Sequence, residues 1–247
     1  MTPPAPWTPY CGAGPTPGEL AARWNLDPIL LIAFAAAAMA LIAASRARAP
    51  DLRRTLLAAG LGVLAVSFVS PVCALSSALF AARTVHHVLL VGAAAPLLAC
   101  GLPQLRRPAL GLSLALHAGV FWTWHAPLAY GAALSSDLAY WLMQLSLLAS
   151  AVGFWASVRA AAAPAAVAAL LAATVQMGLL GALLTFAEQP LYAPHFATTA
   201  AWGLTPLQDQ QMSGLIMWAP ASALYLGMAL LLLGRWLGRE ERAAATA

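Results

Sequence analysis

Seven apolar runs separated by short polar links leave this chain few options. They extend from Pro28 to Ser45, Thr55 to Val72, Thr84 to Leu102, Ala109 to Trp124, Leu138 to Val158, Ala165 to Phe186 and Gln211 to Gly234. Each approaches the roughly 17 to 25 residues that cross a hydrocarbon core of about 30 Å. The fourth is the shortest and reaches across only when the HAP segment after it is counted. In lipid no water satisfies a free backbone amide, so a spanning segment of this kind must be helical. The expected fold is therefore all-α, an integral membrane seven-helix transmembrane bundle over residues 28–235. An external tail precedes it over 1–27 and a cytoplasmic tail follows over 236–247. With 62% hydrophobic and 8% charged residues, a soluble domain of 247 residues could not bury the apolar surface present. The first 27 residues lack a basic region followed by an apolar run, so the first run reads as a retained helix.

Charge placement orients the bundle. All twelve basic residues are arginines, and ten lie in SRARAPDLRR, QLRRP, VRAAAAP and GRWLGREER, four segments that alternate onto one side. Positive residues mark the cytoplasmic side, which places the N-terminus outside and the C-terminus inside a cell (plasma or inner) membrane. These arginines fall in short clusters without the basic stripe that phosphate tracking requires, so nucleic acid is not an expected partner. No GxSxG, HExxH, Walker or GxGxxG pattern is present, and no enzyme class is signalled.

The helix start near residue 205 is written plainly. Thr205 can cap, Pro206 fits the first helical position, and Gln208 stands three residues after the cap, as a capping box requires. Asp209, Gln210, Gln211 and Met212 follow, polar and soft groups that need partners at a membrane boundary.

The topology brings four of the five histidines towards the outer face: His86 and His87 in the first turn of the third helix, His125 ending the fourth, and His195 in the long loop after the sixth. His117 falls mid-membrane. Cys73 and Met212 lie towards the same outer side, and His, Cys and Met are the ligands a soft cation such as Cu(I) prefers. The candidate metal set is thus His87, His125, His86, Asp209, Met212 and Cys73. Spacing favours it less than inventory does. His86 and His87 point about 100° apart on a helix, so other helices would have to complete a site. Arg83, one turn before them, opposes a bound cation unless a carboxylate such as Asp209 or Glu188 intervenes. The alternative reading is a hydrogen-bonded polar layer of Arg83, His117, Gln210 and Gln211 that positions helices, and a third is a proton or substrate path. Gln144 reads as interhelical glue. The cysteines show no CxxC spacing; a disulfide between Cys11 and Cys73 is allowed by topology but not favoured.

Several stretches resemble the CtaG family of cytochrome c oxidase assembly factors. They are FVSPVCALSSALFAARTVHHVLLVGAAAPLLACGLP, HAGVFWTWHAPLAYGAAL, and LLGALLTFAEQPLYAP followed by LTPLQDQQMSGLIMWAPASALYL. The resemblance covers helices two to seven and implies a seven-helix bundle with a role in biogenesis of haem-copper cytochrome c oxidase. Copper is the implied cofactor, and oxidase subunits and membrane lipids are the implied partners. His87 falls on the second histidine of the family's HxxxH pair, whose first position is Arg83 here, and His125 and Asp209 fall on family positions. Tyr140, Met143 and Gln144 stand where members commonly carry histidines and an acidic residue. The expected function is a non-enzymatic membrane factor acting on the oxidase, as an assembly chaperone or a bound accessory subunit. The alternative is a small transporter or channel with a polar path near helices three, four and seven.

Overall fold

A computed structural model describes residues 7, 9–46, 52–103 and 109–245. Of the four arginine clusters, the one at 104–108 lies outside the described residues, as does the middle of the first, 47–51. Among the described residues all regular structure is helical: α1 (Pro28–Arg46), α2 (Leu52–Val69), α3 (Pro71–Ala78), α4 (Phe80–Gly101), α5 (Leu110–His125), α6 (Pro127–Ala133), α7 (Asp137–Ala160), α8 (Ala163–Thr185) and α9 (Pro206–Ala244). Five of these, α2, α4, α7, α8 and α9, are long and apolar enough to cross a membrane. α1 is apolar over the shorter stretch Pro28–Ala43. α5 has 16 residues, about 24 Å at roughly 1.5 Å per residue, short of the hydrocarbon thickness. The protein is thus an all-helical membrane protein.

The second apolar run does not stay one helix. Ser70 caps α3 by accepting from the Val72 amide at 3.3 Å, Pro71 occupies the first helical position, and α2 stops at Val69. Leu79 then turns extended and α4 begins at Phe80, four residues before the apolar run does. His86 and His87 consequently lie in the second turn, inside the bundle. The reason is a long-range cap. Leu79 offers no side-chain acceptor, and the Asp209 carboxylate of α9 supplies one, its two oxygens accepting from the Phe80 and Ala81 amides at 2.7 and 3.0 Å.

Helix α9 begins as its sequence dictates. Thr205 Oγ1 accepts from the Gln208 amide at 3.2 Å, and Gln208 Oε1 accepts from the Thr205 amide at 2.8 Å. A π-helical turn over Met217–Ala221 accommodates Pro220, which has no amide to donate, and Ser222 Oγ donates back to the Met217 carbonyl at 3.1 Å. α4 has a similar turn over Leu89–Ala94, just ahead of Pro96, where Trp155 Nε1 of α7 donates to the Val91 carbonyl at 2.8 Å.

Packing follows small residues. α8 and α9 approach so closely that a Cβ on Gly181 would stand 2.8 Å from the Gly214 carbonyl oxygen, a contact only glycine permits. α4 is the most buried of the candidate spans and touches α2, α7 and α9, while α5 packs on α7 and α8. α1 rests chiefly on α2. Over one end of the bundle the N-terminal segment and the 186–205 loop form a lid. Asn25 Nδ2 donates to Phe68 O at 3.1 Å, Thr198 Oγ1 to Ala78 O at 2.6 Å, and Trp202 Nε1 to Pro15 O at 3.0 Å. Cys11 and Cys73 form a disulfide, which overturns the expectation that topology merely allows one; folding of the tail onto α3 brings their Cα atoms to 5.4 Å.

Candidate functional site

Beneath this lid the start of α4 gathers a cluster of buried polar side chains. Arg83, His86 and His87 come from α4, His125 from the end of α5, Tyr130 from α6, Tyr140 from α7, and Tyr192 and His195 from the loop. All are buried, and Arg83 is completely so. Two interactions fix the periphery. Tyr130 Oη and His195 Nε2 share a hydrogen bond of 2.6 Å, and Tyr192 Oη donates to the His125 carbonyl at 2.6 Å. Tyr192 also stacks on Phe80 with ring centroids 3.7 Å apart. Burial, with the Arg83 charge adding to it, pushes the His195 imidazole down to about 3, so it stays neutral in its hydrogen bond with Tyr130.

The centre is an imidazole pair. His87 and His125 face each other edge-on with centroids 5.6 Å apart, and His86 stands 5.9 Å from His87. His125 Nδ1 is committed to the Phe121 carbonyl at 2.7 Å, which leaves Nε2 as its available atom. Neither nitrogen of His87 has a hydrogen-bond partner, and neither does His125 Nε2. Arg83 lies one helical turn before His87. Its guanidinium sits over the Tyr140 ring at 5.3 Å from the centroid, with no hydrogen-bond acceptor for its three nitrogens. The guanidinium places a positive charge beside the imidazoles.

The six candidate metal residues are not brought together. His87, His125 and His86 adjoin one another. Cys73 is spent in the disulfide and is no thiolate donor. Both Asp209 oxygens are turned to the start of α4. Met212 lies at the surface, about one third exposed. Among the described residues no group of three or more His, Cys, Asp or Glu side chains is placed to hold a metal ion. The residues present therefore offer the facing imidazoles of His87 and His125, with His86 beside them and an opposing cation, a poor fit to a resident metal centre.

The polar-layer residues disperse as well. Gln210 belongs to the loop seam, with Oε1 accepting from the Leu191 amide at 2.7 Å and Nε2 donating to the Gln189 carbonyl at 3.3 Å. His117 sits apart between α5, α7 and α9, with Nε2 3.3 Å from Tyr225 Oη, Nδ1 3.4 Å from Ser150 Oγ, and its ring stacked on Phe154. Gln211 joins neither group, and its side chain is only partly buried. Gln144 is not interhelical glue, because neither its Oε1 nor its Nε2 has a partner. Of the tyrosines around Arg83, Tyr140 is marked only through the family pattern, while Tyr130 and Tyr192 escape sequence reading, since a lone Tyr near a helix end reads as an interfacial anchor.

The family model for the cytochrome c oxidase caa3 assembly factor matches the chain in two overlapping stretches, residues 32–111 and 105–239. The chain belongs to this family. Its matched region runs from α1 through most of α9 and contains every residue of the polar centre. Neither the curated proteins nor the solved structures searched contain a match.

Proposed function

We propose that this caa3-type assembly factor is a non-enzymatic membrane protein that acts in the biogenesis of cytochrome c oxidase at its outer end, with His87 and His125 as its point of contact for copper as cargo. The observation that carries the reading is the facing pair itself, two imidazoles 5.6 Å apart with unpartnered nitrogens in a chain of this family. Imidazole nitrogens of that kind suit a soft monovalent ion, and Arg83 alongside keeps the affinity low enough for release.

In this reading α1 and α5 complete seven spans, the N-terminal segment lies outside, and the arginine clusters lie in the cytoplasm. The disulfide supports that orientation, because a bridge at the lid persists only in an oxidising compartment. The partner is the oxidase, met at the lid end.

The test is Cu(I) titration of purified protein against a competing chelator, beside oxidase activity and copper content in cells lacking the gene. Binding that disappears in both His87→Ala and His125→Ala, with an oxidase deficient in copper, is expected. Wild-type oxidase in the deletion strain overturns the assembly role. Stoichiometric recovery of oxidase haem with copper-free protein would instead identify a resident subunit.

A further inference from the structure

A second site adjoins the polar centre, with Phe68 standing between them against His86 on one side and Trp141 on the other. Because α1 rests on α2 and leaves α7 uncovered, a cleft of about 640 Å³ opens between these three helices. Its walls are apolar: Phe34, Leu61, Leu64, Leu145 and Leu148 among others. Its mouth is not. Asp27 and Asp137 stand there with Tyr10, and among the described residues no basic one lines the cleft. Asp27 Oδ1 caps α1 by accepting from the Ile29 and Leu30 amides at 2.8 and 3.0 Å, and these bonds, Leu30's foremost, hold its carboxyl below the usual range and therefore ionised. Gln144 lines the same cleft, 1% exposed, with both amide atoms unpartnered. It follows Asp137 by seven residues on one helix, about 10 Å along the axis at roughly 1.5 Å per residue.

A ligand that satisfies all three features has a cationic head at the mouth, a carbonyl one headgroup length deeper, and an apolar tail. We propose that the cleft binds one phosphatidylethanolamine-type lipid. Its ammonium lies against Asp27 and Asp137, an ester carbonyl accepts from Gln144 Nε2, and one acyl chain runs along Phe34, Leu61 and Leu148. A buried amide without a partner is costly, and the ester carbonyl removes part of that cost. The acidic mouth disfavours a lipid of net negative charge. A transmembrane segment of another protein fits less well, since it would cover the two carboxylates without neutralising them.

Delipidated protein in detergent is titrated with phosphatidylethanolamine, phosphatidylcholine or phosphatidylglycerol of identical acyl chains, read by native mass spectrometry and by thermal unfolding. One ethanolamine lipid retained per chain, with a Tm raised above that in the other two, is expected. Gln144→Leu, which keeps the volume and removes the amide, should lower retention about fivefold, and Asp137→Asn should erase the preference for ethanolamine over glycerol headgroups. Equal retention of phosphatidylglycerol, or full retention by Gln144→Leu, overturns the proposal. So does a photo-crosslinker at Leu145 that captures a polypeptide and no lipid in native membranes.

Discussion

Arg83 decides the chemistry of the polar centre more than any histidine does. It stands four residues before His87, where a histidine would give an i, i+4 chelating pair on one helix face. With a guanidinium there, the facing imidazoles from different helices remain beside a positive charge. Arg83→His is accordingly expected to raise Cu(I) affinity at least about tenfold, measured by chelator competition; an unchanged value would mean that the His87 and His125 nitrogens never meet the ion. Asp209 illustrates the opposite case, a residue whose chemistry suggests a ligand and whose geometry makes it a cap. Asp209→Ala should lower stability by about 2 kcal/mol by leaving the Phe80 and Ala81 amides buried and unpaired, with Asp209→Asn recovering part of the loss in a thermal melt. His195 gives the lid a pH dependence. Its folded-state value of about 3 lies below the 6.5 of an unfolded chain, so the unfolded state binds the extra proton between those limits. Its contribution is complete above about pH 6.5 and is lost as the pH falls towards 3. His195→Gln, which keeps a hydrogen-bond partner for Tyr130, should flatten that part of the Tm-versus-pH curve.

Two helices carry the architecture. α4 is shaped at both levels, started by a carboxylate from α9 and loosened in its middle by a π turn that hands the Val91 carbonyl to Trp155. α9 is held to α8 by backbone proximity at Gly181 and Gly214, without hydrophobic drive, because lipid tails are as apolar as the side chains they would displace. Gly181→Leu is therefore expected to separate α8 from α9, costing more than about 3 kcal/mol and shifting the unfolding midpoint by well over ten degrees if the chain assembles at all. Gly153→Leu, on α7 with open space around its position, serves as the control and should leave the midpoint unchanged within a degree or two. The pair separates a packing defect from the general loss of a glycine.

At the scale of the whole molecule the lid is stapled to the bundle. The Cys11–Cys73 bridge closes 62 residues of chain, which in the chain-entropy account is worth about 4 kcal/mol. Reduction, or Cys73→Ser, should lower the Tm by several degrees and free Tyr10 from its stack on Tyr140, visible as increased hydrogen exchange around residues 10–25. The sequence by itself determined the solvent, the helical class and several of the helix ends, since membrane-length apolar runs and a Thr-Pro-Leu-Gln cap are local facts. It also carried enough of the family's pattern to indicate the oxidase. It could not determine which polar groups meet. Asp209 lies 129 residues from Phe80, Cys11 lies 62 from Cys73, and His87 faces His125 only because α4 begins at Phe80. Those pairings depend on where helices stop and how closely glycines let them approach. Tertiary packing therefore turned an expected ligand into a cap, an expected thiolate into a crosslink, and an expected interhelical hydrogen-bonder, Gln144, into the unsatisfied amide of an apolar cleft.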